Sequence, residues 1–106
     1  MIARPTLARC LLPAVLVILL SGCAAQMAYR EGNELVAQDK VEAGLVKYQE
    51  AVAADPSNVQ YKAAYLRARE AATNRLLPQA DRELADGKPE LAVQDYRRVL
   101  AIDPLN

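Results

Sequence analysis

An eleven-residue stretch of this chain occurs twice. Tyr48-Gln-Glu-Ala-Val-Ala-Ala-Asp-Pro-Ser-Asn58 returns 48 residues later as Tyr96-Arg-Arg-Val-Leu-Ala-Ile-Asp-Pro-Leu-Asn106, with Tyr, Ala, Asp, Pro and Asn identical at five positions. Lys40 and Glu42 match Lys88 and Glu90 at the same offset. A supersecondary unit that recurs at a fixed spacing cannot bury its apolar face alone, so its copies stack and share one core. That requirement excludes most folds open to a 106-residue chain.

The material around the copies is helical in character. It is rich in Ala, Leu, Glu, Gln, Lys and Arg, the strong helix formers, and shows no alternating strand pattern. The spacing predicts an all-α fold of four helices, from Gln26 to Gln38, Val41 to Ala54, Asn58 to Asp86 and Pro89 to Ile102. The second places Val41, Leu45, Tyr48 and Val52 on one stripe, and the fourth places Ala92, Tyr96, Val99 and Leu100. In the third, Tyr61, Tyr65, Ala68, Ala72, Leu76, Ala80 and Leu84 keep one phase across Pro78. That predicts a single long helix kinked at the proline rather than two helices. Asp86-Gly87 supplies a turn, and Pro89 fits the first turn of the last helix, where its missing N–H costs nothing.

These residues resemble the tetratricopeptide repeat, a 34-residue helix–turn–helix. The resemblance sets Gly32 and Gly44 on the family's small positions and Leu35 on a large one. Tyr48 takes the aromatic slot, Ala51 the alanine slot and Pro56 the terminal proline. In the second copy Ala80, Ala92, Tyr96, Val99 and Pro104 take the corresponding slots. Small residues let helices approach closely, the tyrosine fills the groove between them, and Asp-Pro ends the second helix. Two departures stand out. The offset exceeds the family's by about fourteen residues, which lengthens the first helix of the second unit. Glu83 falls where a large apolar residue is expected, beside Leu84. The apolar face of Ala92 to Ile102 would be only half covered at Asn106, which suggests a continuing chain or a capping partner.

Leu20-Ser21-Gly22-Cys23 closes an apolar run that follows Arg4 and Arg9. From Leu11 to Leu20 no side chain is charged or hydrogen-bonding. This is the layout of a secretory signal, with a basic start, a short apolar core and small residues at the cut. The core is about ten residues, half of what a spanning helix needs, and Pro13 interrupts it. The tetrapeptide resembles the lipobox of bacterial lipoproteins. The resemblance implies cleavage before Cys23 and a lipid on that cysteine. Residues 1–22 are then a signal peptide and 23–106 the helical domain, anchored to a membrane through lipidated Cys23. Ala24 and Ala25, rather than an aspartate, follow the cysteine, which implies the outer membrane with the domain facing the periplasm.

Removing the signal leaves eleven basic and thirteen acidic side chains, a net charge of −2. That balance gives no drive toward nucleic acid. Cys23 is the one cysteine left after the signal, so no internal disulfide forms. No histidine is present and no His/Cys metal set exists. The three glycines of the helical region are isolated, which leaves no phosphate loop, and Ser57 lacks a histidine base. Neither a cofactor nor a catalytic or metal site is expected. Glu31, Glu34, Glu42, Glu50, Glu70, Glu83, Glu90 and Asp95 fall on polar faces beside Lys and Arg. Arg67, Arg69, Arg75 and Arg82 are expected to pair at the surface.

A lipobox followed by Met-Ala-Tyr-Arg-Glu-Gly-Asn, a repeat ending Ala-Asp-Pro-Ser-Asn, a long Arg/Ala-rich helix and a repeat ending Ile-Asp-Pro-Leu-Asn resembles the N-terminal region of a subgroup of secretins. Secretins are the outer-membrane channels of type II secretion and type IV pilus machines. The resemblance implies a periplasmic protein–protein interaction module, homo-oligomeric within such a channel. The alternative is a stand-alone lipoprotein of the pilotin or outer-membrane assembly type.

Overall fold

A computed structural model describes residues 4–105, with side chains from residue 13 onward apart from 17–19. The described residues form four α-helices and no strand: α1 (Arg4–Ala37), α2 (Val41–Ala54), α3 (Val59–Ala85) and α4 (Pro89–Ile102). The all-α class and the element order are as the sequence predicts. The difference lies at the start: α1 begins at Arg4, not near Gln26, and runs through Pro13 and Cys23 without a break. The apolar N-terminal run and the region expected to form the helical domain share one helix. Asn106, which carries the last identity of the repeat, lies outside the described residues.

Local chemistry sets each boundary. α1 and α3 end in the same way. Lys40 N–H donates to the Leu35 carbonyl at 2.9 Å and Asp39 N–H to Val36 at 3.1 Å; Lys88 N–H donates to Glu83 at 2.8 Å and Gly87 N–H to Leu84 at 3.3 Å. Both are Schellman closures, which need a left-handed residue just past the helix. Gly87 supplies it at φ 74° and Asp39 at φ 61°. α2 and α4 also end alike. Asp55 and Asp103 sit at φ −138°, each donating its N–H to the carbonyl four residues back. The proline that follows each forces that extended backbone. Asn58 then caps α3, its side-chain oxygen accepting from the N–H groups of Gln60 and Tyr61. Pro89 occupies the first turn of α4. α3 continues through Pro78, whose side chain is exposed.

Two apolar clusters hold the helices together. The larger joins Val41, Leu45 and Tyr48 of α2 to Ala64, Ala72 and Leu76 of α3 and to Val99 and Ile102 of α4. A smaller one joins Ala25 and Ala28 of α1 to Ala51 and Tyr61. Leu84 and Leu100, expected on the buried stripes, are 56% and 51% exposed. Helical phase explains both. Leu84 lies twelve residues beyond Ala72, about 120° off its face, whereas Glu83 lies about 20° off. Glu83 is accordingly half-buried. In α4 the inner face instead takes Asp95 and Ile102.

Candidate functional site

The four residues of the cleavage-like motif lie on one turn of α1. Leu20 is 62% exposed, Gly22 and Cys23 are exposed, and Ser21 is half-buried. A Cβ at Gly22 would meet nothing within 4 Å. The Cys23 thiol is free and accessible. Before residue 25, every described side chain except Ser21 is exposed, including Val15 and Leu16. Ala25 is then completely buried and Ala28 is 8% exposed. Pro13–Ala37 is long and apolar enough to cross a membrane. Its second half, however, is committed to protein: Ala25 and Ala28 pack with Ala51 and Tyr61. Among the described side chains, packing of α1 thus begins two residues past Cys23.

Of the residues in the slots of the repeat resemblance, Gly32, Gly44 and Tyr48 come together where α1 crosses α2, and the others divide among the helix faces and turns. A Cβ on Gly32 would stand 2.6 Å from the Tyr48 ring, and one on Gly44 would stand 2.7 Å from a Val36 methyl and 3.1 Å from the Gly32 carbonyl. No residue larger than glycine fits either place without a shift. Tyr48 is 4% exposed, and burial pushes its phenol pKa up, with Tyr29 adding to the effect. Its hydroxyl donates to Asn33 Oδ1 at 2.6 Å. The Tyr29 ring lies 5.9 Å from that of Tyr48 and 4.9 Å from that of Tyr61, both tilted, and so bridges the two clusters. Ala51 is fully buried and Leu35 half-buried, while Pro56 stands in the exposed turn.

At the second crossing Ala80 of α3 meets α4. Ala80 and Ala92 are fully buried and Val99 is 2% exposed. Tyr96 is half-buried, and Pro104 is exposed like Pro56. The Tyr96 hydroxyl donates to Asp81 Oδ1, and that bond raises its pKa. Asn33 and Asp81 stand 48 residues apart, so the tyrosine-to-preceding-helix bond is itself repeated. Sequence reading missed this pair, although the shared offset was there to be used. Around Glu83 the second crossing is polar. Gln79 Nε2 donates to Glu83 Oε1 at 3.3 Å and to Asp95 Oδ2 at 2.9 Å. Glu83 Oε2 and Thr73 Oγ1 are buried without a hydrogen-bond partner.

Charged side chains tie the helices at the surface. Arg98 of α4 holds Glu42 of α2 through two contacts, at 2.7 and 3.4 Å, and its guanidinium keeps the Glu42 carboxyl below its ordinary pKa. Arg75 of α3 reaches Asp39 in the first turn and lowers its pKa in the same way. Lys47 bridges Glu31 and Glu50. Arg69 lies 5.6 Å above the Tyr65 ring, and Arg67 donates to the Ala63 carbonyl. Among the described residues no group of three His, Cys, Asp or Glu could hold a metal ion. What this arrangement offers is an accessible thiol at a helix boundary and a set of helix faces.

No family model, no curated protein and no solved structure matches this chain.

Proposed function

We propose that this chain is a lipid-anchored protein–protein interaction module of the bacterial cell envelope, non-enzymatic, with Cys23 as the acylated residue. One observation carries the reading: the cleavage-like motif falls at the border between the exposed half of α1 and its packed half. Cutting before Cys23 would remove the unpacked apolar turns and leave Ala25, Ala28 and the whole bundle intact. The short apolar core and the basic start support a signal over a permanent span. The same reading places the module on the outer membrane facing the periplasm, with helical hairpins of tetratricopeptide type. Its setting would be the N-terminal part of a secretin-like component of type II secretion or type IV pilus machinery. A stand-alone assembly lipoprotein is the second setting, and the structure favours neither.

Globomycin, which blocks the lipoprotein peptidase, tests the anchor. The precursor should accumulate on treatment, and Cys23→Ser should abolish both acyl labelling and the shortened mature form. A chain whose acyl labelling and size are unchanged with serine at residue 23 would sink the reading.

A further inference from the structure

One end of the bundle is nearly free of charge. α2 runs antiparallel to α1, and its Ala51 packs with Ala25 and Ala28 and with Tyr61, near the start of α3. From that level α2 continues three residues to Ala54, about 4.5 Å at ~1.5 Å per residue. The turn at 55–58 therefore reaches at least as far toward the apolar run as Cys23, which stands about 3 Å before Ala25 along α1. The sequence carries no charge from Cys10 to Tyr29, and between Ala51 and Tyr61 only Asp55 is charged. Its carboxylate accepts from Ser57 Oγ at 3.0 Å and from Asn58 Nδ2 at 3.5 Å. The repeat does not require such neutrality. The stretch 48 residues after Ser21–Tyr29 runs from Arg69 to Leu77 and includes Arg69, Glu70 and Arg75.

The two helices that lead away from this end, α1 and α3, repeat one pattern. Met27 is 62% exposed and Arg30 follows three residues on; Val59 is 76% exposed and Lys62 follows three residues on. Residues three apart share a helix face. Arg30 and Lys62 are exposed, and neither forms an ion pair with a described residue. The nearby acids Glu31 and Glu50 are both taken by Lys47. We propose that this end of the bundle seats on a phospholipid membrane, with Met27 and Val59 entering the apolar boundary and Arg30 and Lys62 meeting lipid phosphates. An exposed apolar residue with an unpaired base one turn behind it matches that boundary, where cationic side chains lay their stems on apolar material and keep their heads in the polar layer. Continuity identifies the occupant as lipid. The bare apolar half of α1, with Val15, Leu16 and Leu20, leaves the bundle at this same end, and so does Cys23. The inference rests on the reading of this chain as membrane-attached, and it holds whether a lipid on Cys23 or the uncut helix makes the attachment.

The chain has no tryptophan, so Val59→Trp and Leu84→Trp each place a single reporter at an exposed site. Each full chain is reconstituted into vesicles of phosphatidylethanolamine and phosphatidylglycerol, with and without bromine on the acyl chains. Emission from residue 59 should fall roughly by half in the brominated vesicles, as for a side chain ~5–10 Å into the headgroup boundary. Residue 84, about 35 Å farther along α3, should emit equally in both. Adding Arg30→Gln and Lys62→Gln to the Val59 variant should lessen its quenching while far-UV circular dichroism stays the same; undiminished quenching overturns the phosphate contacts. A chain that floats with the vesicles but is quenched no more at residue 59 than at residue 84 overturns the proposal and leaves the attachment standing. A blue-shifted but unquenched residue 59 also overturns it, because protein would then cover this end. A chain that does not float with the vesicles overturns both. Acylation of Cys23 is read separately, by mass, so the Cys23 experiment can fail while this one succeeds, and the reverse.

Discussion

The two hairpins, α1–α2 and α3–α4, share turn closures, cap geometry and a tyrosine bonded to the preceding helix, yet they are filled differently. The first crossing is glycine on glycine with a buried tyrosine laid across it. The second puts Ala80 and Ala92 in those places, leaves Tyr96 half-exposed, and has Glu83, bonded to Gln79, where the first has Leu35. A fixed backbone plan thus tolerates two ways of filling its centre. The glycine pair gains close approach and a fully desolvated ring. The alanine pair gains helix propensity and accepts a buried carboxylate oxygen with no partner.

The comparison breaks most sharply at the tyrosines. Tyr48→Ala should cost about 3–5 kcal/mol, as large buried aromatics do, and thermal unfolding will show it as a steep fall in Tm. Tyr96→Ala should cost clearly less, and equal losses would mean that the two crossings are energetically alike. Next come the small residues. Gly32→Ala drives a Cβ into a ring that is buried and hydrogen-bonded. Its overpacking penalty of about 1–3 kcal/mol should outweigh the ~1 kcal/mol of helix propensity gained. Ala80→Gly makes the reverse exchange and should cost about 1 kcal/mol for propensity alone. If Gly32→Ala raises Tm, the first crossing is looser than its distances indicate.

Weaker effects sharpen the picture. Arg98 holds the folded-state pKa of Glu42 below its ordinary 4.5. That stabilisation is therefore present above the unfolded value and is lost as pH falls from 4.5 through the lower folded pKa. Both partners are about one-third exposed, so the contribution should be well under 1 kcal/mol. Glu42→Gln should flatten the acid limb of a stability–pH curve without changing its neutral plateau by more than that. The smallest effect is expected at Asp39. Replacing it by Gly, the residue the second hairpin uses at φ 74°, relieves a left-handed backbone but removes the Arg75 pair. A slight rise in Tm is expected, larger at high salt, where the lost pair matters less.

Much of this fold was legible because its punctuation is chemical. Asp-Pro stops α2 and α4, Pro89 starts α4 and Asn58 starts α3, so both short helices begin and end where the sequence places them. Gly32, Gly44 and Tyr48 of the first copy also meet at one crossing. What escaped was of two kinds. A run of four-residue steps looks like one stripe but drifts around a helix of 3.6 residues per turn, which put Leu84 and Leu100 inside when both face out. The start of α1 escaped because a motif resembling a processing signal reads as a boundary, while the backbone continues as one helix from Arg4 through Pro13, Gly22 and Gly32 to Ala37. The motif at residues 20–23 was legible as such. Its coincidence with the onset of packing was not, because burial at Ala25 depends on Ala51 and Tyr61, well separated in sequence.

The buried position of Ala25, two residues past Cys23, has a mechanical side. A protein held by a lipid on that cysteine would have no slack between membrane and bundle. Any pull on the anchor would run along the axis of α1 and load the α1–α2 seam in shear, with Tyr48 seated across the Gly32–Gly44 contact as the stop. A seam loaded this way yields only when all its contacts slide together, unlike one peeled open from an end. Under such an anchor the first hairpin would be the joint that carries force, and the second would need only to hold its shape.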